Sequence, residues 1–472
     1  MSANCCVSVP PDSGYRAFTT VLGPWQAQLT SGLNRSVQAS DQSLGHLEEH
    51  ISRQTREVER ALLEEAAQKK ADHTPPLCPV CGHQLTRRTR DHARTFTTRF
   101  GDITVRRLRG WCRRCACYFF PADHALGLAE SGGASPGVQE AAALLVSQMP
   151  VATATAVLER LTGLAVPPAT LDRLARRQGK RAEDKRTQLD EQMNTGQGAA
   201  QLGPAPPTDF TLVLEIDAWH IRERDAWGRA EALRAKGQEP EHWHWVYGGT
   251  CFRLDQRTGT EGGRAVITSR GYVMTRGGLD ALRAQLHAEA LRQHLGRAGR
   301  VLLVADGAAW IWNLGADRFP QAVPRLDYYH AAQQLWAVAR GLHPGDEAGA
   351  RTWVEPLLKK LKAGRGLRVI EDLRGVLQKV RRAKRAAVAA GLGYLETHRA
   401  RLDYDEASQR GEPLGSGAME STCRQYQCRF KRPGQFWSRA GDEALLCLET
   451  FRRNGRWSLL FPHSAQTDPC KN

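Results

Sequence analysis

The chain reads as an α/β protein: a core on a mixed sheet, preceded by a cysteine-bearing unit and a pair of helices. Three observations carry this. Short β-branched and aromatic runs bounded by turn residues fill 211–276, and two further apolar runs, 301–306 and 321–327, alternate with helical segments. Two Cys-x2-Cys pairs stand well upstream, at 78–81 and 112–115. A chain of 472 residues is expected to hold roughly two to four domains.

Composition narrows the function classes. Hydrophobic residues make up 41% and charged residues 25%, which is globular rather than disordered. The net charge of +16 points to a polyanionic partner, and nucleic acid is the commonest. No apolar run is long enough to span a membrane, and the N-terminus lacks the basic start and apolar stretch of a secretory signal. Twelve cysteines in such a chain argue for metal ligation or free thiols, and the expected compartment is a reducing cytoplasm.

In order along the chain, residues 1–74 form an N-terminal helical region: a loose start, then a charged helix over 43–70 with Leu47, Ile51, Val58, Leu62 and Leu63 at helical spacing. Residues 75–125 hold the cysteines. CPVC (78–81) and CRRC (112–115) each place two thiolates on a tight turn, so Cys78, Cys81, Cys112 and Cys115 can close a tetrahedral Zn2+ shell. The alternating stretch between them suits the hairpin of a zinc ribbon. Cys117 can replace Cys115, His83 can compete, and thiols without metal are the alternative, with a fully closed four-cysteine shell favoured. Arginines crowd this unit, which suits phosphate contacts.

Residues 130–195 contain two helix-like segments, 135–149 and 151–163, and a third from 167 to 181. A break at Gly163 followed by Pro167 and Pro168 resembles the turn of a helix-turn-helix. Thr170, Arg173, Arg176 and Arg177 would project from its second helix toward DNA, with Ala156, Leu161, Val166 and Leu171 holding the pair together. Plain helical packing is the alternative. The Gly-, Pro- and Ala-rich stretch 195–209 reads as a linker.

Strands are expected at 211–217, 245–255 and 265–276, followed by a helix over 277–295, strands at 301–306 and 321–327, a basic helical stretch over 330–402, and a final helical stretch over 415–457. A three-strand meander, a helix, then parallel-type strands alternating with helices is the pattern of a ribonuclease H-like (RNase H-like) domain. Asp217 ends TLVLEID and Asp306 ends VLLVAD, with Gly307 expected to supply a sharp turn. Glu215 is assigned to the opposite face of its strand and set aside. Glu420 opens the basic stretch 420–432. Two carboxylates at strand tips and a third on a later helix are what a two-metal phosphoryl-transfer site needs. Asp327 is the rival, or a helix cap, and His330 is an accessory group or a packed histidine. Arg424, Arg429, Lys431 and Arg432 follow Glu420 as phosphate contacts or a solvated face. Trp437, Trp310 and Trp312 can stack on a base or fill the core, core burial being favoured for Trp437.

The motifs EIDAWH, VADGAAWIW, LDYYHA and GSGAMESTCRQYQCRFKRPGQFWS, in that order, resemble DDE transposases of bacterial insertion sequences. The nearest likeness is to the Kra-type group, related in catalytic-domain style to Mutator-like elements, and it covers roughly 75–457. The resemblance implies a catalytic trio of Asp217, Asp306 and Glu420 holding two Mg2+ (or Mn2+) ions, with Asp327 and His330 as an accessory Asp-x-x-His string. It implies an RNase H-like core over 210–342 and 413–457, interrupted by a basic α-helical insertion at 343–412, with 458–472 as a tail. The 113 residues between Asp306 and Glu420 agree with that insertion. Its implied substrates are double-stranded DNA at element terminal inverted repeats and target sites, cut and then joined through a 3′-OH by a homo-oligomer on DNA. A nuclease or resolvase using the same site, and a non-catalytic DNA-binding repressor, are the competing readings.

Overall fold

The computed structural model describes residues 15–38, 43–129, 132–206, 209–224, 228–259 and 265–462. Two compact units divide the chain, Met1–Gln178 and Gly179–Asn472. The division falls inside one long helix and not in the 195–209 stretch read as a linker. Gly179 already belongs with the second unit, where a Cβ on it would lie 2.6 Å from Ala444.

The first unit begins with helices α1 (Tyr15–Gln38) and α2 (Leu44–His73). Helix α1 was not foreseen, because Gly23 and Pro24 argue locally against a helix there. Residues 1–14 lie outside the described set. Helix α2 buries Ala67 and Ala71, with Leu63 beside them, against Phe96, Ile103 and Val105; its Ile51 is exposed. Those three apolar residues sit on a hairpin, β1 (Thr86–Thr98) and β2 (Gly101–Cys112), extended by β3 (Cys117–Phe119). Helices α3 (Pro121–Ala125), α4 (Pro136–Gln148), α5 (Val151–Thr162) and α6 (Pro168–Asn194) follow. Gly163 ends α5 in the left-handed conformation, as its C-cap position requires. The expected apolar seam is only half right: Val166 and Leu171 are buried, but Ala156 and Leu161 are exposed. Helix α5 turns Ala154 and Leu158 inward instead and packs against α4, so the helical phase is rotated from the one expected.

The second unit is a mixed α/β core. After the end of α6 come β4 (Thr211–Arg224), α7 (Ala230–Ala235), β5 (Glu241–Arg253), β6 (Arg257–Gly259), β7 (Ala265–Ile267) and β8 (Gly271–Thr275). Then α8 (Gly278–Arg292), β9 (Arg300–Ala305), α9 (Ala309–Arg318), β10 (Ala322–Leu326) and α10 (Tyr328–Leu342) alternate. The main sheet has the order β10-β9-β4-β5-β8, with β4, β5 and β8 antiparallel and β9 and β10 parallel to β4. The expected strand 265–276 divides into β7, paired with β6 in a separate hairpin, and β8 in the main sheet. Between the sheet and the last helices stand α11 (Glu347–Lys362), α12 (Gly366–Lys379), α13 (Arg382–Thr397) and α14 (Tyr404–Gln409); α15 (Gly417–Phe430) and α16 (Arg439–Arg453) close the fold. Among the described residues no helix is long and apolar enough to cross a membrane.

The two faces of the sheet have different partners. Leu212, Leu214 and Ile216 of β4 join Leu303 and Ala305 of β9 under α8, α9 and α10 in the largest apolar cluster. Val213 with Leu302 and Val304 forms a smaller cluster on the opposite face, which Ala418 of α15 covers. Strand side chains alternate with a period of two, so Glu215 and Asp217 share this second face. The assignment of Glu215 to the other face is therefore wrong. Its side chain is buried and accepts a hydrogen bond from Met419 N at 2.7 Å, which anchors the first turn of α15 to β4.

Burial pushes the Glu215 carboxyl up to about 8, against the opposing backbone N–H of Met419 and the charge of Arg270. Its folded pKa lies above its unfolded one, so stability from this group is full below about pH 4.5 and is lost as the pH rises through about 8. Glu215→Gln keeps an acceptor for Met419 N but removes the titration. In metal-free buffer it is expected to flatten the melting-temperature curve between those pH values; an unchanged slope contradicts the assignment.

Candidate metal centres

The four cysteine sulfurs Cys78, Cys81, Cys112 and Cys115 lie together, with Cys78 3.8 Å from Cys115 and Cys81 3.5 Å from Cys112. A tetrahedral Zn2+ shell with Zn–S bonds of about 2.3 Å needs S–S separations of about 3.8 Å, so the donors present fit that ion. Gly82 and Ala116, each following the second cysteine of its pair, both have positive φ (72° and 52°), which turns both knuckles inward. The N–H of Cys115 points at the Cys112 sulfur and, against burial, holds that thiol down to about 7, ready to ligate as thiolate. Cys117 and His83 stand outside the cluster; the His83 ring lies 3.2 Å from Cys81 O instead.

The second centre forms where the parallel pairing of β4, β9 and β10 stops. Ile216 pairs with Ala305, and Ala305 pairs with Leu326. The next residue along each strand is Asp217, Asp306 and Asp327, so three aspartates stand in one row on adjacent strands spaced about 4.8 Å apart. Asp217 does not end its strand, as β4 runs on to Arg224 paired with β5 alone; it marks where β9 stops. Opposite Asp217 on β5 is Gly248, where a Cβ would come within 2.4 Å of the Met419 side chain. That missing side chain lets α15 approach closely, and Glu420 rides on its first turns. The helix starts at Gly417, within the helical stretch expected over 415–457, so Glu420 lies in its first turn and does not open it.

Gly307 serves a different purpose from the one expected. Its φ is not positive; its lack of a Cβ leaves room for the Tyr394 ring of α13, which would otherwise be 2.6 Å away. Asp306 accepts from Ala308 N at 2.9 Å, and Asp217 from Ala218 N at 2.7 Å. Burial raises the Asp217 carboxyl above its ordinary range, and the charge of Asp306 adds to that rise. Tyr394 is pushed up to about 12 by burial and then by Asp306 and Asp327. These like charges, gathered at half-buried positions, are the electrostatics of a site that a divalent cation relieves.

Asp327, His330 and Glu420 place ligand atoms within 4.8 Å of one another. Asp327 caps α10: one oxygen accepts from Tyr329 N (2.6 Å) and His330 N (3.3 Å), the other from Ser416 N and Ser416 Oγ, both at 2.7 Å. His330 Nδ1 sits 3.6 Å from the second oxygen, an ion-pair distance longer than a hydrogen bond. Although burial opposes ionisation, His330 and Ser416 hold Asp327 down at about 2, and His330 is raised in turn by Asp327, with Asp306 and Glu420 adding to it. With four donors already on its two oxygens, Asp327 is a poor ligand and a strong brace; Glu420 and His330 have the freer atoms.

The remaining expected residues scatter. Arg424 is exposed and 3.8 Å from Glu420; Lys431 and Arg432 are exposed beyond the helix end. Arg429 is buried, its guanidinium over the Trp437 ring at 4.9 Å, because nine residues at 100° each carry it half a turn away from Glu420. It packs the core and does not face solvent. Trp437 is buried too, its indole N–H donating to Phe430 O at 2.8 Å, and Trp312 is likewise interior. In the first unit Arg173 is exposed, while Thr170, Arg176 and Arg177 are half-buried, with Arg176 bonded to Asp172 at 2.7 Å. Sequence reading set Glu215 aside on the wrong face and missed Ser416 and Tyr394; the Gly-Ser-Gly before Glu420 was a signal for Ser416 alone.

No known family model matches the chain. A protein of Streptococcus gallolyticus described as "UPF0236 protein in vanSb 3'region" is similar to it, 22% identical over 383 residues, which is 79% of this chain and 76% of that one.

The purified chain is expected to carry one Zn2+ per molecule by atomic absorption, and Cys78→Ser or Cys112→Ser to lose it; full retention in both contradicts the four-sulfur site. Asp327→Ala strands two Ser416 donors and uncaps α10, so it is expected to lower the unfolding free energy of the second unit by about 3 kcal/mol in urea melts. A loss below about 0.5 kcal/mol removes the bracing role.

Proposed function

We propose that the chain is a DDE-type transposase of an insertion sequence, cutting DNA at the element ends and transferring the resulting 3′-OH into target DNA. The observation that supports this reading is the row of Asp217, Asp306 and Asp327 on adjacent strands, with Glu420 of α15 placed beside Asp327 and His330. A five-stranded mixed sheet with three antiparallel strands and two parallel ones agrees with an RNase H-like core, and helices α11 to α14 correspond to the expected insertion. The cysteine unit and helices α4 to α6 are read as zinc ribbon and DNA-binding helices, and the net charge of +16 suits duplex DNA as partner.

The donor set fits hard divalent cations: carboxylate oxygens from Asp217, Asp306 and Glu420 would hold Mg2+ or Mn2+. Bound there, such ions supply Lewis-acid activation of the attacking oxygen and neutralise charge on the leaving one. The chain itself does the positioning. Glu215 and Gly248 set the distance of α15 from β4, Tyr394 presses on the Asp306 turn, and Asp327 holds Ser416 at the start of α15. His330, whose titration is raised by Asp327 and then by Asp306 and Glu420, stands beside them. Arg424, Lys431 and Arg432 face solvent near this helix and can hold phosphates in line for attack.

Asp217→Asn, Asp306→Asn and Glu420→Gln are each expected to lower Mg2+-dependent strand cleavage at least about 1000-fold while DNA binding persists. The assay uses duplexes of the DNA that flanks the gene on either side. Near-normal cleavage by any variant removes that residue from the trio, and products that are cut but never joined favour a nuclease.

A further inference from the structure

Beyond the acidic row, β4 and β5 continue as a ribbon bridged at Glu223 by Trp437: β9 pairs with β4 only as far as Ile216, and β8 with β5 only to Tyr247. One face of the ribbon is interior, with Trp219, Ile221, Glu223 and Val246 all buried. The register puts His220 opposite Trp245 and Arg222 opposite Trp243 on the other face. There Trp243 is 54% and Trp245 47% exposed, an unusual state for two indoles side by side on one strand.

These rings stand in a row. His220 lies 3.6 Å from Trp245, Trp245 lies 6.4 Å from Tyr247 at a tilt of 30°, and Tyr247 meets Trp310 edge-on at 5.4 Å. Trp310 follows Asp306 by four residues, and Tyr247 neighbours Gly248, the partner of Asp217. A row of aromatics therefore leads from the ribbon toward the row of aspartates. Its rim is cationic. The Arg222 guanidinium is 5.3 Å and the Lys431 ammonium 5.7 Å from the Trp243 ring. Glu241, the nearby carboxylate, is already shared by Arg222, Arg224 and Arg234.

We infer that this face binds unpaired DNA: successive bases stack on Trp243, Trp245 and Tyr247 while Arg222 and Lys431 hold the phosphates. The partner follows from chemistry. Flat rings spaced along one strand with cations beside them bind a π-stacked polyanion, in the manner of single-strand platforms. The face has no branched aliphatic side chain: its members are Ala218, His220, Arg222, Arg224, Glu241, Trp243, Trp245 and Tyr247. The inference rests on the DNA-processing reading and adds to it a place where a strand separated from its complement is held next to the acids.

The test is fluorescence anisotropy of a labelled oligothymidine of about 20 nucleotides, titrated with the full chain in EDTA at about 150 mM salt. Trp243→Ala and Trp245→Ala are each expected to weaken binding about tenfold, with Trp→Phe at either position recovering most of it. Wild-type protein that fails to bind the oligothymidine, or alanine variants that bind it as wild type does, overturns the inference. So does a shift of the alanine variants to a smaller oligomer with unchanged oligothymidine affinity, since the face is then an interface between copies of the chain. Cleavage is scored separately in Mg2+. Tryptophan-dependent binding without wild-type cleavage sinks the proposed activity and leaves the face standing; cleavage with tryptophan-independent binding does the reverse.

Discussion

The lateral register of β4, β9 and β10 is the constraint on which the second unit depends. Parallel pairing places Ile216, Ala305 and Leu326 side by side, so whatever follows each of them must stand in a row at the same end of the sheet. Because side chains alternate, a slip of one residue in either pairing would turn one aspartate into the apolar cluster on the other face. The buried leucines and valines that alternate between the two faces of β4 and β9 forbid that slip. Hydrophobic packing on both faces thus fixes the geometry of the charges.

The second requirement is to bring the chain back after α14. Three contacts with the end of β10 do this: Arg325 with Glu412 at 2.7 Å, Tyr328 N with Leu414 O at 2.9 Å, and Asp327 with Ser416. Arg325 and Glu412 are both almost fully buried, where an unpaired charge is costly and a paired one is directional. Such contacts fasten both ends of the helical excursion to one strand. From the other side, Glu215 and Gly248 set how close α15 lies to the sheet. Asp327 is thereby more consequential as a brace than as a ligand: it joins the end of a strand, the start of a helix and the loop that leads to Glu420.

How legible the site was in the sequence depended on the range of the interaction. The cysteine pairs were legible because a tight turn imposes a short spacing and tetrahedral sulfur geometry does the rest. Asp306 follows its strand directly, as an apolar run that stops at a carboxylate suggests, whereas the run before Asp217 gave no sign that β4 continues to Arg224. Glu420 needed the resemblance of its surrounding block, since an acid near a helix start has ordinary reasons to be there. Arg429 was misread because its neighbours in sequence are basic and exposed, while its place on the helix turns it into the core. The rotated phase of α5 has the same origin: a short helix carries apolar residues on more than one side, and the partner decides which side is buried.

From the sequence alone came the α/β class, the four-sulfur cluster, the strand-borne aspartates and the basic character of the chain, all properties of near neighbours and of composition. Only the tertiary structure decided that Glu215 shares a face with Asp217, that Asp327 is saturated by donors, that Gly307 makes room for Tyr394, and that Trp243 and Trp245 lie open to solvent. Each of these joins residues far apart in the chain or depends on which surfaces other elements cover. Covalent spacing carries no information about either until the sheet register and the packed helices have fixed them.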